Sequence, residues 1–180
     1  MMGSGGMIVM DDRTCMVEVA RYYVNFLSEE SCGKCTPCRE GLRRMLGILT
    51  DVCQGRGKPG DIGLMRVVAE TMREASLCGL GKSAANPVLT TIDYFPEEYE
   101  EHIREGFCRA GVCRRLSVFT IEAADCSGCG VCKKACPVGC ISGDVKQPHA
   151  VDPARCVACG SCRDACPFGA VKVQKREVSV

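Results

Sequence analysis

The spacing of apolar residues divides the chain near residue 115 into a helical part and a part of short strands and loops. From Asp11 and Asp12 onward, Met16, Val19, Ala20, Tyr23, Phe26 and Leu27 recur with a helical period and predict a helix with one buried face. A second helix runs from Arg39, with Leu42, Met45, Leu46, Leu49 and Val52 on one side. A third spans residues 61–76 and turns Met65, Val68, Met72 and Ala75 inward. A shorter one over 83–94 carries Val88, Leu89 and Ile92, with Phe95 just beyond. Pro96 opens another, whose first turn holds Glu97 and Glu98 where the helix dipole favours acid; their run is read as a solvated face. Past residue 115 the pattern alternates: Leu116 to Ile121 reads as a strand, with Ala170 to Gln174 as its partner. At the front, residues 2–10 form a glycine turn and a short apolar strand with no partner in the rest of the pattern. The chain is therefore expected to begin inside a larger protein, or to borrow a neighbouring subunit's strands.

Cysteines change this picture most. The chain has seventeen, and eight fall in two copies of one motif. Cys126-x-x-Cys129-x-x-Cys132-x-x-x-Cys136-Pro137 returns thirty residues later as Cys156-x-x-Cys159-x-x-Cys162-x-x-x-Cys166-Pro167. Three thiolates two residues apart wrap one iron-sulfur cube, and the fourth, starting a short helix that points away, ligates the other cube. This assigns Cys126, Cys129, Cys132 and Cys166 to one 4Fe-4S cluster and Cys136, Cys156, Cys159 and Cys162 to a second. Val131, Ile141, Val157 and Phe168 are the expected apolar shell. Zinc knuckles or disulfides are the competing use of these thiols, and the doubled spacing with its trailing proline argues against them. The stretch resembles a bacterial two-cluster ferredoxin over about residues 116–175.

A second three-point grip, Cys32-x-x-Cys35-x-x-Cys38, has no fourth cysteine in its loop. Cys78 stands where the third helix ends in glycines, free to approach, so Cys32, Cys35, Cys38 and Cys78 are assigned to a third 4Fe-4S cluster, with zinc as the alternative for the same residues. Between the two parts lie His102, Cys108 and Cys113, outside every cluster motif. With Cys53, chosen by elimination, they make a candidate structural zinc site; the alternative is buried free thiols and a surface histidine. Cys15 is read as a small buried hydrophobe, Cys140 as packing, and His149 as an ordinary loop histidine.

Composition narrows the function classes. The formal net charge is +1 and tryptophan is absent, which argues against nucleic acid as a partner. The N-terminus shows no basic stretch followed by an apolar one, and no segment has the length of a membrane span. Clustered thiols at metal spacing without an export signal point to a reducing cytoplasm. No residue stands out as a general base or nucleophile.

The run Ser31-Cys32-Gly33-Lys34-Cys35-Thr36-Pro37-Cys38-Arg39-Glu40-Gly41, with Cys78-Gly79-Leu80-Gly81 further on, is similar to the C-terminal helical domain of the NADH-binding flavoprotein subunit of respiratory complex I. The preceding Gly3 to Asp11 resembles the end of that subunit's ubiquitin-like domain. With a ferredoxin module appended, the arrangement resembles the beta subunits of electron-bifurcating [FeFe]-hydrogenases and NADP-reducing hydrogenases, and of some formate dehydrogenases and transhydrogenases. The resemblance implies an electron relay in a multi-subunit oxidoreductase, with hydrogenase alpha-type and thioredoxin-like 2Fe-2S gamma-type subunits as partners, and soluble ferredoxin as a further one. The family's FMN and NAD(P)H site has no counterpart here: Gly3 to Gly6 precedes a strand instead of following one, so FMN and NAD(P)H are expected only on an upstream region or a partner.

The expected architecture is α+β: a four-to-five-helix bundle with one 4Fe-4S cluster, then a two-cluster ferredoxin-like domain. Its boundaries are 1–12 for the end of the ubiquitin-like domain, 13–105 for the helical domain, 106–115 for the junction and 116–180 for the ferredoxin domain. A redox-sensing iron-sulfur and zinc interaction module is the rival of another class.

Overall fold

The computed structural model describes residues 5–176. Three long helices dominate the first half: α1 (Met16–Glu30), α2 (Thr36–Cys53) and α3 (Asp61–Ala75). Short α4 (Gly79–Ser83), α5 (Asn86–Tyr94) and α6 (Pro96–Glu100) follow, and α6 runs into one π turn at Glu101–Glu105. The second half contains β1 (Ser117–Ile121), α7 (Val131–Ala135), β2 (Ile141–Ser142), β3 (Ala150–Val151), α8 (Ser161–Asp164) and β4 (Val171–Lys175).

The helix starts have local causes. Cys15 caps α1 with its sulfur, 3.4 Å from the Glu18 N–H. Pro37, Pro87 and Pro96 sit in the first turns of α2, α5 and α6, where a missing N–H costs nothing. The helix expected over 83–94 is α5, which starts three residues later at Asn86 with Pro87 in its first turn, and the short α4 precedes it.

Val17, Ala20 and Val24 of α1 pack with Leu42, Met45, Leu49 and Val52 of α2, Met65, Ala69 and Met72 of α3, and Val88 and Ile92 of α5. Each fully buried Leu or Met stabilises the fold by about 1.5–3 kcal/mol through transfer from water. The buried stripe of α1 differs from the expected one. Val17 and Val24 take the places expected of Val19 and Tyr23, and Phe26 is 48% exposed. Tyr23, Phe26 and Leu27 instead line an open groove beside Pro87, where rings can keep one face wet. Ala75 and Phe95, expected inward, are exposed as well, because α3 and α5 have ended beside them.

The second half is built from two small antiparallel sheets. β1 pairs with β4 in the register Phe119 to Val173, and β2 pairs with β3 in the register Ile141 to Val151. The partnership of the two outer strands follows the alternation of the sequence, one residue later at each start than expected. Phe119, Ile141 and Val171 form a second core with the cysteines around them.

The halves meet at the junction. Leu116 belongs to the helical core, and Ser117, fully buried, opens β1. The Cys108 N–H donates to Ser117 Oγ at 3.1 Å, and that hydroxyl donates to the Cys108 carbonyl at 2.8 Å. Arg163 of α8 donates to the Ala110 carbonyl at 3.1 Å while its guanidinium lies 5.4 Å from the centroid of the Phe119 ring.

Residues 5–10 pair with no strand among the described residues, and Met7, Ile8 and Val9 are exposed. The first residues of the expected strand segment, up to residue 4, and the end of the tail at 177–180 lie outside the described residues. No described helix is long and apolar enough to cross a membrane.

Leu42 is fully buried between α2 and its neighbours. Leu42→Ala should lower stability by about 2–5 kcal/mol, seen as an earlier midpoint for loss of the helical circular-dichroism signal on heating.

Candidate metal centres

The loop between α1 and α2 carries the first three thiols. Cys35 is the N-cap of α2, Cys38 lies one turn in, and Cys32 is exposed in the loop before them. The loop is braced by the Gly33 N–H donating to Ser31 Oγ at 3.3 Å and by Arg39 donating to the Gly33 carbonyl at 2.7 Å. Ser31 Oγ is in turn 3.4 Å from Cys38 Sγ. The segment after α3 closes on this loop. The Leu77 backbone N–H, and then that of Cys38, hold the Cys35 thiol below its ordinary range. A Cβ on Gly81 would lie 3.0 Å from Cys38 Cβ and 2.6 Å from Ser76 Cβ, so only glycine permits this approach. Cys78, the N-cap of α4, sits in this segment, between Leu77, whose N–H reaches Cys35, and Gly81, which packs on Cys38.

In the second half the eight motif cysteines fall around two cavities. One is lined by Cys126, Cys129, Cys132 and Cys166, with Ile121, Phe168, Ala170 and Val171 supplying apolar walls. The other is lined by Cys136, Cys156, Cys159 and Cys162, with Phe119, Val138, Ile141, Val151 and Val157. Each cavity thus takes three thiols from one copy of the motif and one from the other, the grouping that the spacing predicts. Of the expected shell, Ile141, Val157 and Phe168 do line the cavities, whereas Val131 is absent from both linings and 39% exposed. Val131 opens α7, where it is the next residue, Cys132, that is buried.

The thiols in these cavities are in an environment that disfavours bare charge. Burial raises the Cys132 thiol, and the sulfurs of Cys126, Cys129 and Cys166 add to it. Burial pushes the Cys162 thiol up to about 11, with Cys156 and Cys159 adding. Ferric and ferrous iron neutralise such sulfurs, and three of the donor sets have the composition of a cluster site. Backbone donors are already in place: the Cys140 N–H at 3.4 Å from Cys136 Sγ, and the Ala158 N–H at 3.4 Å from Cys156 Sγ. Cys140 lines the second cavity, its sulfur 3.4 Å from that of Cys136, and burial followed by Cys136 pushes its thiol up to about 12.

A different geometry occupies the junction. Cys15, His102, Cys108 and Cys113, all buried, bring four donor atoms within 4.8 Å of one another. A tetrahedral zinc with bonds of about 2.3 Å to sulfur holds its donors about 3.8 Å apart, which this quartet matches. None of the twelve cysteines of the cluster motifs belongs to so tight a group among the described residues, and a cube needs its four thiolates spread wider than a single ion does. His102 Nδ1 donates to the Glu98 carbonyl at 2.6 Å, leaving Nε2 directed at Cys15 Sγ (3.3 Å) and Cys113 Sγ (3.5 Å). Cys108 beside them holds the Cys113 and Cys15 thiols well above their usual range, with burial adding. Hydrogen bonds from Cys113 and Cys15 hold Cys108 far below it. Three sulfurs in such conflict suit a dication.

Cys53, expected as the fourth donor, stands outside this quartet; it is buried beside it, grouped with Glu18 and Cys113. Its place is taken by Cys15, eighty-seven residues from His102 in sequence. Spacing could not have found it, because Cys15 has no ligand-type neighbour.

Two protein-family models match the chain. Residues 18–102 match the NADH-ubiquinone oxidoreductase-F iron-sulfur binding region, and residues 125–170 the 4Fe-4S dicluster domain. The HndC component of the NADP-reducing hydrogenase of Solidesulfovibrio fructosivorans is 48% identical over 148 residues, covering 82% of this chain and 30% of that protein. The F-type component of the NADH-quinone oxidoreductase of Streptomyces coelicolor is 39% identical over 60% of this chain and 24% of its own length. The beta subunit of the NADP(+)-dependent formate dehydrogenase of Moorella thermoacetica is 35% identical over 63% and 16%. The chain spans less than a third of the length of each of these relatives. Among solved structures, the NAD+-reducing [NiFe]-hydrogenase in its H2-reduced state superposes with a TM-score of 0.51 at 34% identity, over 53% of this chain and 17% of that one. The described chain therefore belongs with the 4Fe-4S proteins, as an NADH-ubiquinone oxidoreductase-F iron-sulfur binding region followed on the same polypeptide by a 4Fe-4S dicluster domain.

Proposed function

We propose that this chain is an electron relay of three 4Fe-4S clusters within a multi-subunit NAD(P)-dependent hydrogenase. Cys32, Cys35, Cys38 and Cys78 hold the first cluster on a helical bundle. Cys126, Cys129, Cys132 and Cys166 hold the second, and Cys136, Cys156, Cys159 and Cys162 the third, both in a ferredoxin-like fold. The observation that carries this reading is the pair of apolar cavities, each lined by four motif cysteines drawn from both copies of the repeat. The bound clusters supply one-electron reduction and oxidation. The chain's own part is to hold the sulfurs, keep water off them with Ile121, Ile141, Val151 and Val171, and aim backbone N–H groups at Cys35, Cys136 and Cys156.

In the same reading, zinc occupies the quartet of Cys15, His102, Cys108 and Cys113 and ties the start of α1 to the junction. FMN and NAD(P)H belong to an upstream region or a partner subunit, residues 1–12 close a ubiquitin-like domain, and the assembly, with alpha-type and gamma-type hydrogenase subunits and soluble ferredoxin as partners, works in the cytoplasm through electron bifurcation. The kinship with the Moorella thermoacetica formate dehydrogenase beta subunit supports a second reading, in which the same relay serves formate oxidation.

Metal and sulfide analysis of the anaerobically purified chain should give about twelve iron and one zinc per polypeptide. About eight iron with two zinc would transfer the Cys32 to Cys78 site to zinc and break the relay.

Cys15→Ser, like the double change Cys108→Ser and Cys113→Ser, should release the zinc and leave the iron in place, whereas Cys53→Ser should keep both. Zinc retained in the Cys15→Ser chain would rule out the quartet.

A further inference from the structure

The two cysteine cavities of the second half are copies of each other. Every residue lining the first has a counterpart lining the second thirty positions away in sequence: Cys126 and Cys156, Gly130 and Gly160, Ile121 and Val151, Phe168 and Val138. The sheets obey the same relation, since the pair Ile121–Val171 maps onto Val151–Ile141. Any difference between the environments must then arise where counterparts differ in chemical kind. Three positions do so: Ser127 against Val157, Ala170 against Cys140, and His149 against Phe119.

The last is the largest change. Phe119 presents a hydrocarbon ring to the second cavity, and His149 presents an imidazole to the first. His149 is 4% exposed, and its Nδ1 is buried without a hydrogen-bond partner. The ring is seated close to backbone. Gly143, the counterpart of Val173, has φ +138, and a Cβ there would lie 2.9 Å from His149 Cγ. On its other side, His149 Nε2 lies 3.9 Å from where a Cβ on Gly130 would stand, so the ring reaches the loop between Cys129 and Cys132.

A buried polar nitrogen left unpaired costs about 1–3 kcal/mol. Sulfur in the cavity is the acceptor at hand. A hydrogen bond to cluster sulfur strengthens when an electron adds negative charge, so it raises the reduction potential. The second cavity has only a weaker side-chain donor to offer, the Cys140 thiol beside Cys136 Sγ.

We infer that His149 sets the potential of the cluster held by Cys126, Cys129, Cys132 and Cys166, donating an N–H to its sulfur and making it the more easily reduced of the pair. The inference rests on the assignment of these cysteines as cluster ligands. The electron then rests in the first cavity, one electron per cluster, and the third cluster of the relay passes it at lower potential.

The test is a mediated redox titration of the whole, anaerobically loaded chain, followed by electron paramagnetic resonance. His149→Phe, which copies the second cavity, should shift one midpoint downward by the equivalent of a tenfold loss in the reduction constant, about 59 mV for one electron, and leave the others in place. His149→Gln keeps an N–H and should recover most of the shift. Unmoved potentials in a His149→Phe chain with its full iron would overturn the inference alone, while iron missing from the second half of the parent chain would overturn the ligand assignment as well. A measurement on the unmodified chain covers the case in which the variant takes up no iron. His102 and His149 are the two histidines, and His102 lies outside both cavities. Pulsed resonance on the reduced, 15N-histidine-labelled chain should detect one histidine nitrogen coupled to one cluster of the second half, and its absence would overturn the inference.

Discussion

Sulfur that is buried and close to other sulfur cannot carry its charge without a cation, and this constraint organises the molecule. The apolar walls that raise the Cys132 and Cys162 thiols would be a liability around bare thiolates. Around metal they are the means by which a short chain builds a second core, with cysteines among the buried residues where a larger protein would use leucine. Among the described residues the second half accordingly has two small sheets and two helices of four and five residues, and the cavities lie among them.

The junction applies the same constraint to mechanics. Glu98 serves it twice: its carboxylate accepts the Met16 N–H at 2.9 Å at the start of α1, and its carbonyl accepts from His102 Nδ1. Burial raises the Glu98 carboxyl, which the Met16 N–H partly offsets. One residue thus joins the cap of the first helix to the orientation of the imidazole, and the Ser117 hydroxyl carries the tie onward into β1.

Much of this was legible because ligand spacing in a loop is a local property. The grouping of thiols around each cavity follows from motif intervals, and the return of the Leu77 to Gly81 segment onto the first loop from a glycine-ended helix. The Cys15 position was not legible, since a quartet assembled from both ends of the helical half depends on tertiary packing, and elimination pointed to Cys53, a neighbour of the site. The stripe of α1 is displaced from the expected one because Tyr23 and Phe26 count as apolar in a periodicity yet line an open groove. His149 reads as a loop residue because Pro148 and the turn signal Asp152-Pro153 flank it; only the repeat, laid over the strand register, reveals it as the counterpart of a core phenylalanine.

The crossing of the two motif copies also has a consequence for synthesis. In that arrangement the set begun by Cys126, Cys129 and Cys132 waits for Cys166, the last cysteine of the chain, whereas the set begun by Cys156 finds Cys136 already made. The later set is thus complete at Cys162 and the earlier one at Cys166, so neither cavity can gather its four sulfurs until the second copy of the motif has been made.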